Sequence, residues 1–100
     1  MLGAESVRFL LPRTQQHILH LDSRFSAALA AGDFVLARRL GIRLCLLVPG
    51  VPDTHAAVAL CCLRSGLAEQ ALAHAQRCLR LAPAHALADS VLLEALGLLA

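Results

Sequence analysis

Four cysteines and five histidines are the side chains here that could ligate a metal or attack a substrate. Cys61, Cys62 and Cys78 with His55 or His74 supply zinc-ligand types. Cys61 and Cys62 are adjacent, however, so on a helix they point about 100° apart and do not chelate one ion together. His17 and His20 fall one helical turn apart and share a face, with no third ligand nearby in sequence. A nucleophilic cysteine or serine needs a base and an orienting group within reach. No glycine-framed nucleophile, phosphate loop or paired carboxylates occur in the chain. The expectation is a protein that is not an enzyme, with no catalytic residue, no metal and no cofactor.

Composition narrows the class further. One hundred residues suit a single domain with one core. Apolar residues make up 58% and charged residues 16%, against about 45–50% and about 25% in soluble domains. No membrane span explains this excess, because Arg38, Arg39, Arg43, Arg64, Glu69, Asp89 and Glu94 interrupt every apolar run. The opening MLGAESVRFLLP carries Glu5, Arg8 and Pro12 and does not read as a secretory signal. A cytoplasmic protein is expected, with Cys45, Cys61, Cys62 and Cys78 as buried free thiols rather than a disulfide scaffold. All nine basic residues are arginine, and the formal net charge of +2 gives no field that points to nucleic acid. Arg39 with Arg43, and Arg77 with Arg80, read as solvated stripes on helices, with a partner's carboxylates as the functional alternative.

The elements that would hold these residues follow from a repeat. GLAEQALAHAQRCLRLAP, Gly66 to Pro83, aligns with GDFVLARRLGIRLCLLVP, Gly32 to Pro49, at an offset of 34 residues. Gly32 and Gly66, Ala37 and Ala71, Arg43 and Arg77, Leu47 and Leu81, and Pro49 and Pro83 coincide. Leu36, Leu40, Leu44 and Leu47, like Leu72, Ala75 and Leu79, recur three and four apart and so share one helical face. Each glycine follows a helical run and marks a left-handed helix stop, Asp33 can cap the next helix, and each proline ends it.

A helix, turn, helix, break unit of this length resembles the tetratricopeptide repeat, in which small residues permit close helix packing and a proline ends the unit. The resemblance implies an all-α fold of about two and a half repeats in a short right-handed superhelix, one domain over 1–100. Residues 10–31 would hold an N-terminal helical region and the first helix of repeat 1, residues 33–48 its second helix. Repeat 2 would span 53–83 and a terminal helix 84–100. Placed by the prolines, the units run from Ile18 to Val51, from Pro52 to His85 and from Ala86 to Ala100, with an added helix or half-helix over Ser6 to His20. Ala59 fills the small site of the second unit's first helix. Phe25 and Leu93 stand where the family prefers glycine, alanine or serine, so the first and third units read as degenerate copies.

Repeat arrays bury each unit against its neighbours and usually need three or more units. In DSVLLEALGLLA, Val91, Leu92, Leu93, Leu96, Leu98 and Leu99 cannot all face the preceding helix, so some of that surface is expected to meet water. The resemblance places a partner-binding groove at Leu19, Ser26, Leu29, Ala56, Leu60, Leu63, Leu87, Val91 and Glu94. Leu60 and Leu63 carry the alternative that they are core. The chain has no lysine or asparagine, so a carboxylate clamp of the kind that grips chaperone C-termini is not expected, and an apolar helix or extended segment fits better.

A small, very apolar chain of this kind also looks like the small chaperones of bacterial type III secretion. The opening LLPRTQQHILHL, Leu10 to Leu21, is similar to the start of the YscY-type chaperones, with the YscG-type needle chaperones as the alternative. What this implies is a cytoplasmic chaperone that shields a helical segment of one small secreted or export-apparatus protein, YscX-like, or else a needle subunit with a co-chaperone. The other class is a self-assembling scaffold subunit, a homo-oligomer with no secretion role.

Overall fold

A computed structural model of the chain describes residues 2–3 and 7–100. Glu5 and Ser6, which entered the sequence reading, lie outside them. All regular structure among the described residues is helical: α1 (Pro12–Ala30), α2 (Phe34–Leu47), α3 (Pro52–Arg64), α4 (Ala68–Leu81) and α5 (Ala86–Leu99). Each helix packs on the next, and α3 also packs directly on α5.

The glycines set the chain reversals. Gly32 and Gly66 adopt φ of 72° and 76°, a left-handed conformation that only glycine takes without a side-chain clash. Around the first, the Gly32 N–H donates to the Leu29 carbonyl at 3.1 Å and the Asp33 N–H to Ala28 at 3.0 Å. Around the second, the Gly66 N–H donates to Leu63 at 3.2 Å and the Leu67 N–H to Cys62 at 2.8 Å. Both are Schellman stops, which satisfy the last carbonyls of one helix while turning the chain into the next. So short a connection makes the two helices antiparallel neighbours. Asp33 then caps α2 by accepting from the Leu36 N–H at 3.1 Å. The α2 and α4 helices end two residues before Pro49 and Pro83.

Helix boundaries keep the 34-residue spacing of the sequence. The α2 and α4 helices start and end that far apart, α3 and α5 start that far apart, and so do the ends of α1 and α3. At the N-terminus the helix or half-helix expected over Ser6 to His20 is continuous with the first helix of repeat 1. One continuous helix begins at Pro12, whose missing N–H is harmless in the first turn. Its buried residues Ile18, Leu21, Phe25 and Ala28 keep helical spacing with no glycine or proline to break it. Leu2 and Val7 ahead of it are also buried, and the Leu2 N–H donates to Asp22 Oδ2 at 3.2 Å.

The α3 helix is the centre of the core, with nine of its thirteen residues buried, as expected of a helix enclosed on most sides. Two histidines fasten its N-terminal end. The His55 Nε2–H donates to the Pro49 carbonyl at 2.7 Å, which ties α3 to the end of α2. His85 accepts from the Ala88 N–H through Nδ1, capping α5, so its proton sits on Nε2 and points to Asp53 Oδ1 at 2.7 Å. The starts of α3 and α5 are thereby linked.

Phe25 is fully buried even though a small residue is expected at its position. Gly41 of α2 makes the room. A Cβ placed there would overlap Val58 Cγ2 and lie 2.8 Å from Phe25 Cε1. The Gly41→Ala variant gains about 1 kcal/mol of helix propensity and meets a clash with a stiff β-branched side chain and an enclosed ring. We expect a net loss of about 1–3 kcal/mol, read from the urea midpoint. A gain would show that the junction is looser than its geometry.

Candidate partner-binding surfaces

The cysteine and histidine chemistry resolves first. All four cysteines are buried and free. Burial pushes the Cys45 thiol up to about 11, against a smaller opposing pull from Arg77. Burial likewise raises Cys61 to about 11, with Cys62 adding to the rise. Cys62 and Cys78 are raised by burial as well. A nucleophilic cysteine requires the thiolate, and burial favours the protonated form at these four sites. No group of three metal-ligating side chains comes together among the described residues.

His55 and His74 stack with ring centroids 6.3 Å apart. They line a cleft of about 280 Å³ with Ile42, Cys45, Leu46, Pro49 and Arg77. The His74 imidazole is pushed down to about 4, chiefly by burial and then by the positive charges of Arg77 and His55. The cleft thus holds the neutral His74 imidazole beside a guanidinium and a protonated thiol. His17 and His20 are exposed on α1 and edge a second cleft of about 260 Å³, formed with Leu21, Arg24, Arg43, Leu46 and Leu47. Its floor is apolar and its rim basic.

The nine groove residues divide by burial. Ala56, Leu63 and Val91 are buried among the helices and face no solvent. Direct packing of α3 on α5 encloses this stretch of the expected groove. Leu19, Ser26, Leu29 and Leu60 are half-buried, and Leu87 and Glu94 are exposed. The structure therefore leaves six of the nine within reach of another molecule. Arg39, Arg43, Arg77 and Arg80 are exposed on the second helices.

The largest apolar exposure lies elsewhere. Phe9, Leu11 and Leu46 are each more than three-quarters exposed, and Phe9 shares a cleft with Leu47 through Val51. On α5, only Ala88, Val91 and Ala95 are buried, while Leu93, Leu96, Leu98 and Leu99 are exposed. Sequence reasoning found the α5 surplus and missed Phe9, Leu46 and Gly41. Leu46 had a signal, since it falls outside the Leu36, Leu40, Leu44, Leu47 stripe. So did Gly41, a glycine in a helix interior four residues after Ala37.

No helix among the described residues is long and apolar enough to cross a membrane. No protein-family model, curated protein or solved structure matches the chain.

Two outcomes check these environments. Iodoacetamide under native conditions should leave all four cysteines unmodified, and unfolding in urea should expose all of them, as read by mass spectrometry. His74 titrates at 6.5 when unfolded and near 4 when folded, so the unfolded chain binds the extra proton. Its contribution is complete above pH 6.5 and is lost as pH falls toward 4, about 2 kcal/mol by pH 5. The difference in urea stability between pH 7 and pH 5 should shrink by that amount in His74→Gln.

Proposed function

We propose that the chain is a short tetratricopeptide-type array that binds one helical segment of another protein, acting as a cytoplasmic chaperone for a small secreted or export-apparatus component. The observation that carries this reading is the apolar surface of α5, where four large leucines meet solvent on one helix. Burying such a side chain contributes about 1.5–3 kcal/mol each, a gain this fold leaves unused until another molecule covers it.

Three further features support the array. The paired Schellman turns and helix boundaries share one 34-residue spacing, the length of the family's unit. Ala37, Ala59 and Ala71 are fully buried at the close-packing sites. Phe25, the departure in repeat 1, packs against Gly41 of the second helix, so a glycine there makes the room that the larger side chain needs. The secretion role rests on the resemblance of Leu10 to Leu21 and on the size and apolarity of the chain.

A tagged chain purified from its native cell should bring down one small helical protein at a fixed molar ratio. Leu60→Asp, at a half-buried groove position, should weaken that complex at least about tenfold while leaving the circular dichroism unchanged. Leu63→Asp should unfold the chain, since Leu63 is core. Recovery of the chain alone in a defined soluble oligomer would replace the chaperone by the self-assembling scaffold.

A further inference from the structure

The internal repeat identifies which side of α5 lacks a neighbour and what should fill it. Positions 25, 59 and 93 are equivalent at the 34-residue spacing, as are positions 28, 62 and 96. Phe25, Ala28, Ala59 and Cys62 are all buried, in helices that a tight glycine turn joins to a following antiparallel helix. Leu93 is 63% exposed and Leu96 46% exposed. Phe25 packs against α2 at Gly41, so this is the side of the first helix that the second helix covers. Among the described residues, α5 has α3 and α4 as neighbours and nothing on that side.

Two properties of the missing neighbour can be read from the pairs that are present. A large side chain at the equivalent position, Phe25, is accommodated by a glycine in the covering helix, and Leu93 is also large. Near residue 21, one turn earlier on α1, the covering helix places Arg43. Near the equivalent His55 of α3 it places Arg77. The third equivalent is Asp89, and α5 carries Asp89 and Glu94 with no basic residue. An arginine or lysine at that level of a third covering helix would meet a carboxylate.

We propose that the partner protein lays an amphipathic helix antiparallel along α5, in the place α2 and α4 occupy on α1 and α3, with glycine or alanine against Leu93 and a basic residue beside Asp89. This rests on the repeat reading above and adds the face, the direction and the chemistry of the bound segment. The partner completes the third helical hairpin.

The geometry is testable without knowing the partner. Ala100 is 34 positions after Gly66, so Ala100→Gly followed by a copy of Asp33 to Pro49 supplies a turn and a covering helix with glycine opposite Leu93. The extended chain should melt at least about 5 °C higher than the natural one and lose most of its binding of an apolar dye. A synthetic peptide of Gly32 to Pro49 added to the natural chain should shift the amide resonances of α5 ahead of all others. Replacing the copied glycine by leucine should abolish the gain, and replacing the copied arginine equivalent to Arg43 by glutamate should reduce it. No gain from the glycine form together with no α5 shifts, or an equal gain from the leucine form, would overturn the proposal. A discrete dimer of the natural chain that Leu96→Asp dissociates would also overturn it, because a second copy would then be the occupant. A co-purified partner indifferent to Leu96→Asp counts against this face alone, whereas absence of any partner despite a stabilising extension counts against the chaperone reading.

Discussion

The meeting of Phe25, Gly41 and Val58 governs the N-terminal half of the molecule. Three helices converge where the ring of α1 reaches across a glycine of α2 toward a β-branched residue of α3. Phe25 is the largest fully buried side chain, so the axes of α1 and α2 can come close only because Gly41 contributes no side-chain volume. Interiors pack at crystal-like density and have few ways to absorb an extra methyl group. This contact therefore sets how α1 and α2 sit on α3, and α3 in turn carries α4 and α5.

What was legible in the sequence was local. Gly32 and Gly66 had to be left-handed stops because the chain reverses there within three residues, and the hydrogen bonds that satisfy the helix ends are made inside the same few residues. Asp33 as a cap and the two closing prolines belong to the same category, in which residue type and backbone requirement coincide. Phe25 looked like a defect for the opposite reason. Its compensation lies sixteen positions away at Gly41, and a size exchange between two helices leaves no trace in either helix read alone. The added N-terminal segment and the first helix of repeat 1 form one helix because nothing after Pro12 interrupts the apolar spacing.

The candidate site was legible only in part. A groove transferred by resemblance assumes that the first helices stand far enough apart to leave side chains between them. Alanines and cysteines dominate α3, and small residues let α3 and α5 approach until Ala56 and Val91 are enclosed. Leu19, Leu29 and Leu60 keep partial access. The surplus on α5 was visible from composition, since too many leucines occur in fourteen residues for one buried face. Which of them would be exposed depended on the register of α5 against α3 and α4.

The distribution of exposed apolar surface also constrains how the chain can exist in a cell. Leucines on α5, and Phe9, Leu11 and Leu46 elsewhere, expose apolar area of the kind that marks interaction surfaces. The α5 surface carries acids and the cleft beside Leu46 carries His17, His20, Arg24 and Arg43. Opposite charge on two apolar surfaces attracts like molecules to one another at low salt, so the same features that suit α5 to a basic helix also set up competition from further copies of this chain. A partner helix that fits the gap over Leu93 and Leu96 would bury those two leucines, which a loosely steered copy would not, and that difference in packing is what would let one segment be selected from many.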